Sequence, residues 1–390
     1  MGSFLAQGPV PRLRLGMVGG GQGAFIGAVH RIAARIDDQY DLVAGALAST
    51  PDKAVASGQE LGLAPDRIYS SFEDMARRES ERADGIEVVS IVTPNHLHYR
   101  VAEAFLRHGI SVICDKPMTT NLSDARRLKD IVERSSAAFI LTHNYSGYPM
   151  VRQAREMVAN GELGKIRVVQ AEYIQGWLSE PVETTGGKQA EWRTDPQRAG
   201  GGGSIGDIGT HAFQLAEYVS GQRASHLAAD LESFVPGRQL DDNAHIMLRF
   251  AGGAKGMIWS SQVAVGKENA LQLRIYGEKG GLEWQQESPN QLTFLPLNGA
   301  TRTFTRGGPE SWSTAARVTR IPAGHPEGYL EGFATIYSEA AEIIRAKQQG
   351  RTVVEEVQAP GVDDGLSGVS FIDACLRSNQ RDAAWAELER

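Results

Sequence analysis

The stretch LRLGMVGGGQGAFIGAVHRIAARI, residues 13–36, decides the fold of the first part of the chain. A short apolar run, a cluster of glycines and a helical apolar pattern follow one another, which predicts a strand, a tight turn and a helix. Gly19, Gly21 and Ala24 fit the pattern G-x-G-x-x-G/A, in which small residues permit the turn, the approach of a pyrophosphate and close helix packing. The glycines alone would also suit a flexible turn, so the surrounding sequence has to decide.

That surrounding sequence repeats the alternation of strand and helix. Further apolar runs occur at residues 42–47, 88–92, 111–114 and 139–141, and helix-like segments separate them. Such a series predicts a doubly wound parallel sheet of the Rossmann type. With the glycine turn after its first strand, it indicates a site for a dinucleotide whose phosphates face the N-terminus of the first helix.

Polar side chains follow three of these runs at the point where each strand ends. They are Thr93 to His98, then Asp115 with Lys116, then His143 to Tyr145. Ligands of parallel sheets bind beyond the carboxyl ends of the strands, so we expect these residues near the cofactor. The predicted cofactor-binding residues are Gly19, Gly21, Gln22, Gly23, Ala24, Phe25, Ser49, Thr93, Pro94, Asn95, His98, Asp115, Lys116 and Asn144.

The end of the second strand does not decide between the two nicotinamide cofactors. Many NAD sites have an acidic residue there for the ribose hydroxyls, but this chain has Ala48-Ser49-Thr50. Asp41 lies at the opposite end of the strand, and an arginine for a 2′-phosphate is missing although Lys53 is close. We expect NAD and leave NADP open.

The length of the chain predicts two domains, and its composition is that of an ordinary globular protein. The chain has 390 residues, 41% hydrophobic and 22% charged, with a net charge of −7, which argues against nucleic acid as a partner. The sequence lacks an apolar run of about 18 residues, so we expect a cytoplasmic protein that does not enter a membrane. Cys114 and Cys375 are too far apart in sequence to suggest a disulfide framework or a cysteine zinc site.

Beyond about residue 150 the pattern changes to strands joined by short glycine-rich turns. This predicts an α+β domain with a large, mainly antiparallel sheet, one face of which is free for contact with another subunit. Residues 296–319 read as a polar excursion from this sheet, and His325 and Glu327 as a helix cap or, less well, as site residues. Helices are predicted at 150–160 and 329–345, and strands at 166–173, 245–250, 254–261, 271–276, 281–285 and 291–295.

The stretch WRTDPQRAGGGGSIGDIGTH, residues 192–211, is the predicted reactive centre. Asp207 and His211 are four residues apart, so a helix would place both on one face, and the four glycines ahead of them would leave backbone bare for a ligand. Lys116 precedes a proline, which favours an extended conformation that carries its ammonium group into the cleft. A surface lysine paired with Asp115 is the alternative.

Together these residues resemble the Gfo/Idh/MocA family of nicotinamide-dependent sugar and polyol oxidoreductases. The resemblance rests on the glycine loop at Gly19, the TPN-x-x-H motif from Thr93 to His98, the Lys116-Pro117 motif and the WR…GGG…D-x-x-x-H motif that ends at His211. It implies a Rossmann domain over residues 11–145, an α+β domain over 146–390 and assembly into homodimers or homotetramers. Asp115 departs from the Glu that usually precedes the lysine.

The resemblance also implies a catalytic trio of Lys116, Asp207 and His211. Oxidation of a secondary alcohol requires a base for the hydroxyl proton, and we assign that role to His211. Lys116 would bond the same oxygen, and Asp207 would orient the substrate or the imidazole. The predicted substrate-binding residues, for a sugar, glycoside or cyclitol, are Lys116, Asn144, Tyr145, Trp177, Trp192, Arg193, Asp207 and His211.

Three alternatives differ from net dehydrogenation. The first is an NAD-dependent glycoside hydrolase that oxidises a ring hydroxyl transiently, eliminates the aglycone and returns the hydride. The second is a silent regulatory protein that binds dinucleotide as a signal, although such a protein would be expected to lose the trio. The third is a metal-dependent isomerase using His96, His98, Asp207 and His211; we expect no metal, because His96 and His98 lack a third ligand nearby in sequence.

Overall fold

The computed structural model describes residues 11–185 and 188–390. Its first sheet is parallel throughout, with strand order β2-β1-β3-β4-β5. The strands are β1 (Leu13–Gly19), β2 (Tyr40–Ala46), β3 (Val88–Val92), β4 (Ser111–Cys114) and β5 (Phe139–Leu141). The helices between them are α1 (Phe25–Ile36), α2 (Pro51–Glu60), α3 (Phe72–Glu81), α4 (His98–Arg107) and α5 (Leu122–Arg134). The predicted doubly wound parallel sheet is confirmed.

The glycine turn brings α1 unusually close to β1. Gly19 has φ +80, a backbone conformation that favours glycine, and a Cβ on Gly27 would lie 2.4 Å from the Cα of Gly20. The contact that requires a small residue therefore falls at Gly27, within the helix, and not at the predicted Ala24, which is the N-cap of α1.

The second sheet has nine strands in the order β13-β12-β11-β10-β6-β9-β8-β7-β14, and all neighbours are antiparallel except β6 and β9. Its strands are β6 (Ile166–Ile174), β7 (Ala224–Glu232), β8 (Asn243–Phe250), β9 (Lys255–Ser261), β10 (Ala270–Gly277), β11 (Gly280–Gln285), β12 (Gln291–Pro296), β13 (Arg302–Thr305) and β14 (Ala386–Glu387). The predicted mainly antiparallel sheet is confirmed, but β7, β13 and β14 were not predicted. The excursion expected at 296–319 is wrong in part, because β13 extends the sheet edge.

The helices of the second half are α6 (Pro149–Ala159), α7 (Lys188–Arg193), α8 (Pro196–Ala199), α9 (Thr210–Ser220), α10 (Ser313–Arg317), α11 (Tyr329–Gln348) and α12 (Val362–Asn379). Of these, α6, α9 and α12 pack on one face of this sheet. Every residue of α9 is buried, and the helix packs on β6 and β10. Within the described residues, no helix is long and apolar enough to cross a membrane.

Two late helices return to the first sheet. Phe333, Ile336 and Tyr337 of α11 share a buried cluster with Leu13 and Leu15 of β1. Helix α12 packs against α5. We therefore keep the division at residue 145 as a proposal about the two sheets, while the last segment stabilises both of them.

Glu327 is neither a cap nor a site residue. Its carboxylate accepts hydrogen bonds from Arg306 at 2.9 Å and from the backbone amides of Arg320 and Ile321. The capping box of α11 is formed by Gly328 and Glu331. The reading of Glu327 as a helix cap is corrected to a buried brace of the preceding loop. His325 is exposed, and its backbone carbonyl oxygen accepts from Arg306.

Candidate active site

A cleft of about 1600 Å³ runs between the glycine turn of the first sheet and one end of the second sheet. Of the predicted cofactor-binding residues, all except His98 line it, from the glycine turn to Asn144. The first turn of α1 contains no acidic residue and receives no cap from a described side chain, so its backbone amides remain available to a diphosphate. A side-chain amide of Asn144 is buried without a partner among the described residues. These features fit a dinucleotide.

His98 is a correction to the predicted cofactor contacts. Its side chain is 1% exposed, and its ring nitrogens lie 2.7 Å from the Pro117 carbonyl oxygen and 2.9 Å from the Thr93 carbonyl oxygen. Burial, the main cause, lowers the pKa of His98. The imidazole joins the loop after β3 to the loop after β4, and it lies behind the residues that line the cleft.

Lys116 and Asp207 meet across the cleft. The Nζ atom of Lys116 lies 3.0 Å from Oδ1 of Asp207 and also donates to the carbonyl oxygen of Asp207. The other carboxylate oxygen accepts from Gln262 at 2.9 Å and lies 3.3 Å from Nε of Arg193. Lys116 thus points into the cleft, as predicted, and its partner is Asp207; the carboxyl of Asp115 instead accepts from Thr142 and from the backbone amide of Lys116.

The backbone that carries Asp207 is not the ordinary helix that the spacing predicts. Ile205–Gly209 form a π-helical turn, and α9 begins at Thr210. Within the described chain, no hydrogen bond joins Asp207 to His211, so the expected direct contact of carboxylate and imidazole is corrected. Both side chains line the same cleft and interact through charge.

The glycine run 200–203 also has a different purpose from the predicted one. None of these four glycines is among the described residues that line the cleft. A Cβ on Gly203 would lie 2.0 Å from the carbonyl oxygen of Asp241, so glycine permits this close approach. The Asp241 carboxylate accepts from the Gly203 amide at 2.6 Å, the Ser204 hydroxyl at 2.8 Å and the Ile205 amide at 2.9 Å. Asp241 therefore fixes the start of the π-helical turn.

His211 lies in an aromatic enclosure at the cleft floor. It is 7% exposed, and its ring centroid is 4.9 Å from that of Tyr145, 5.5 Å from that of His143 and 6.1 Å from that of Tyr173. Burial, followed by the charge of Lys116 and by His143, lowers the pKa of His211 well below its usual 6.5, although Asp207 opposes the shift. The imidazole is neutral at neutral pH, as a general base must be.

Asp207 remains a carboxylate despite its burial. Burial alone would raise its pKa, but the charges of Lys116 and Arg193 and the hydrogen bond from Lys116 lower it well below the usual 3.8. The neutral imidazole therefore stands in a site whose lysine and aspartate carry opposite charges.

The other predicted substrate residues all line the cleft: Asn144, Tyr145, Trp177, Trp192 and Arg193. The Arg193 guanidinium lies 4.4 Å from the Trp192 ring centroid, in a cation–π contact. Trp177 is 39% exposed and donates to Gln175 at 3.0 Å.

Sequence reasoning missed several polar residues of the second sheet. Gln262 contacts Asp207 directly, while Tyr173, Gln175, Asn269 and Gln286 line the cleft. Four of these five lie just outside strand ends, which is the signal that was used for the first sheet and could have been applied to the second. Among the described residues, no group of three or more His, Cys, Asp or Glu is arranged to hold a metal ion.

A glycine-turn Rossmann sheet, joined by one cleft to a lysine and a histidine, defines the class of nicotinamide-dependent oxidoreductases. Two family models match the chain: an oxidoreductase family with an NAD-binding Rossmann fold over residues 13–143, and a GFO/IDH/MocA C-terminal domain over residues 151–283. The chain belongs to the Gfo/Idh/MocA family of NAD-dependent dehydrogenases, and its first sheet is part of an NAD-binding Rossmann domain.

Individual proteins are similar to it over nearly their whole length. The crystal structure of an oxidoreductase from Sinorhizobium meliloti is 57% identical, with a TM-score of 0.88 over 96% of this chain and 99% of that one. An inositol dehydrogenase homolog complexed with NAD+ from Azotobacter vinelandii is 35% identical, with a TM-score of 0.93 over 97% of this chain and 98% of that one. The uncharacterized oxidoreductase YfiI of Bacillus subtilis is 33% identical over 381 residues, 97% of each chain.

Proposed function

We propose that this dehydrogenase oxidises a secondary hydroxyl group of a sugar, glycoside or cyclitol, with Lys116, Asp207 and His211 as its catalytic residues. The observation that carries the proposal is the convergence of the Lys116 ammonium and the His211 imidazole on one cleft that also contains the glycine turn. The name of the Azotobacter relative, an inositol dehydrogenase homolog, supports a cyclitol or sugar as substrate.

In the proposed reaction His211 accepts the hydroxyl proton. Its Nδ1 atom is buried without a described partner, which leaves Nε2 as the ring nitrogen that faces the cleft. The ammonium of Lys116 donates a hydrogen bond to the same substrate oxygen and stabilises the alkoxide as the O–H bond breaks. Bound NAD+ supplies the acceptor for the hydride that leaves the carbinol carbon.

Asp207 holds Lys116 in place for this step. Its carboxylate fixes the ammonium at 3.0 Å, while Gln262 and Arg193 fix the carboxylate. A preorganised ion pair of this kind does not need to rearrange as charge develops on the substrate oxygen. Tyr145 and Tyr173 shield His211 from water on its other side.

A panel of neutral sugars, cyclitols and aryl glycosides with NAD+ tests this function. We expect NADH to accumulate in proportion to the substrate that is oxidised, with at least one sugar or cyclitol. The absorbance of NADH measures this accumulation. Release of an aglycone without accumulation of NADH would contradict net dehydrogenation and favour transient oxidation.

We also propose that the chain assembles as a homodimer or homotetramer through the uncovered face of the second sheet. Met247 and Met257 are directly opposite each other on β8 and β9 and are 54% and 44% exposed. His245 stacks on Trp259 beside them. An exposed apolar strip on a sheet face fits a second copy of the same face.

A further inference from the structure

Four side-chain amides form a row across the cleft end of the second sheet. Gln286 follows β11, Asn269 precedes β10, Gln175 follows β6 and Gln262 follows β9, and these four strands are neighbours in that order. The strand registers place Gln175 beside Gln262 and opposite Asn269, since Ala270 pairs with Ile174 and Ile174 with Ser261. Gln286 lies opposite Leu271, two residues from Asn269. We call Gln262, Gln175, Asn269 and Gln286 the amide row.

The amide row is continuous with the catalytic trio. Gln262 donates to Asp207 at 2.9 Å. Gln175 and the Tyr173 hydroxyl each donate to Oδ1 of Asn269 at 2.7 Å, and Nδ2 of Asn269 donates to Gln286 at 3.0 Å. The Tyr173 hydroxyl is also 2.6 Å from that of Tyr145, which packs on His211. Hydrogen bonds hold each amide in one orientation.

Three members of the amide row line the cleft, and two of them keep unused hydrogen-bonding capacity. A side-chain amide has two N–H donors and two acceptor lone pairs. Asn269 is fully engaged, by Tyr173 and Gln175 at its oxygen and by Gln286 and Tyr145 at its nitrogen. Beyond their described contacts, Gln175 and Gln286 each retain one donor and one acceptor site. A hydroxyl group is both donor and acceptor, so it satisfies both kinds of vacancy.

Spacing and charge narrow the ligand further. Adjacent strands lie about 4.8 Å apart, which is close to the separation of equatorial hydroxyl groups on alternate carbons of a six-membered ring. The amides are neutral, and the described cations at this end of the cleft are already paired: Lys116 and Arg193 with Asp207, and Arg198 with Glu191. A phosphate or carboxylate would lose its hydration here without gaining a free cation.

From these observations, and on the basis of the proposed function, we infer that the amide row is the specificity subsite for the hydroxyl groups remote from the reacting carbon. It selects an uncharged polyhydroxylated ring and rejects phosphorylated sugars and cyclitols. Gln286 and Gln175 form hydrogen bonds with the substrate hydroxyl groups. Gln262 connects this subsite to Asp207 and holds the Asp207 carboxylate in position.

The test compares neutral and phosphorylated probes on NADH-saturated protein. Binding of myo-inositol, D-glucose, myo-inositol 1-phosphate and D-glucose 6-phosphate is measured from the shift in unfolding temperature, and turnover with NAD+ is measured separately. We expect a neutral probe to bind at least about tenfold more tightly than its phosphate. Gln286→Met should weaken that binding about threefold to tenfold, raising KM more than it lowers kcat. Gln380→Met, an exposed glutamine after α12, is the matched control.

The outcomes separate the inference from the proposed function. Equal or tighter binding of the phosphorylated probes, no binding of either neutral probe, or wild-type binding by Gln286→Met would overturn the inference. Should Gln286→Met fail to fold, Gln175→Met takes its place with the same expectation. Neutral probes that bind but are never oxidised would contradict the proposed function and leave the inference standing.

Discussion

At the scale of single residues, the charged groups of the site and the proposed proton acceptor are different side chains. Lys116 and Asp207 form an ion pair whose side chains are 14% and 20% exposed, and His211 stands beside it without a charge. The ammonium that stabilises an alkoxide is the same group that lowers the pKa of the imidazole, so one side chain supports both halves of the proposed step.

The pH dependence of turnover follows from this arrangement. A general base acts when deprotonated, so activity is present above the pKa of His211 and falls as the pH drops through it. Because that pKa is lowered, the acid limb of kcat/KM should lie below pH 6.5. Asp207→Asn removes a charge that raises the pKa, and should move the limb to still lower pH. A limb at or above 6.5, in protein shown by circular dichroism to be folded, would contradict the assignment.

Some of these residues were accessible from sequence and others were not. Lys116 was, because it precedes proline at the end of a buried strand. Gln262 also lies just after a strand end, but its contact with Asp207 was not accessible, because it joins segments 55 residues apart in sequence and no local pattern encodes such a contact. The π-helical turn also escaped prediction, since the four-residue spacing of Asp207 and His211 is identical in an ordinary helix.

At the scale of elements, the turn that carries Asp207 depends on one buried carboxylate. Asp241 is 8% exposed and accepts three hydrogen bonds from Gly203, Ser204 and Ile205. An amide in its place would oppose one N–H donor with another. The π-helical turn would then shift, and Asp207 with it.

Asp241→Asn should therefore lower both stability and turnover. We expect the free energy of unfolding to fall by about 1–3 kcal/mol and kcat to fall at least about tenfold through misplacement of Asp207. Denaturant unfolding and steady-state kinetics measure the two effects. Asp373→Asn, which removes a partly exposed partner of Arg377, should change stability by no more than about 0.5 kcal/mol. Wild-type kcat in Asp241→Asn would show that the turn does not need this brace.

We expect the turn between β2 and α2 to set the preference between NAD and NADP. Ala48 and Ser49 line the cleft where other NAD sites have an acidic residue, so a 2′-phosphate meets no carboxylate directly after β2. We expect the wild type to prefer NAD+ by less than about 100-fold in kcat/KM, and Ala48→Asp to raise that ratio at least about tenfold by charge repulsion. An unchanged ratio in Ala48→Asp would place the adenosine ribose elsewhere.

At the scale of the whole molecule, the order of most strands and helices was predictable from the sequence. The packing of the late helices on the first sheet was not. The five strands of the first sheet appear as separate apolar runs, because parallel strands are buried on both faces. Helix α11 was predicted, but its packing on β1 and α1 was not, because the sequence pattern shows only that it has an apolar face. Strand β13 was missed because it is only four residues long, and three of the four are polar and exposed at the sheet edge.

The uncovered sheet face gives a prediction about assembly. If Met257 lies in a contact between two copies, Met257→Glu buries a charge in each subunit and should convert the oligomer into monomers. Light scattering after size-exclusion chromatography measures the mass. Val354→Glu, at a 57% exposed position between α11 and α12, should leave the mass unchanged. A monomeric wild type, or an oligomeric Met257→Glu protein, would contradict the proposed interface.

The most direct test of the account is turnover in Lys116→Met and His211→Asn, measured beside NADH affinity. We predict that each substitution lowers kcat at least about 100-fold. Each removes a side chain that is proposed to form a hydrogen bond with the reacting oxygen or to accept its proton. The Kd of NADH should stay within about threefold of wild type, and Lys279→Met, an exposed lysine, should behave as wild type. Turnover within tenfold of wild type in either variant, with cofactor bound, would contradict the catalytic roles assigned to Lys116 and His211.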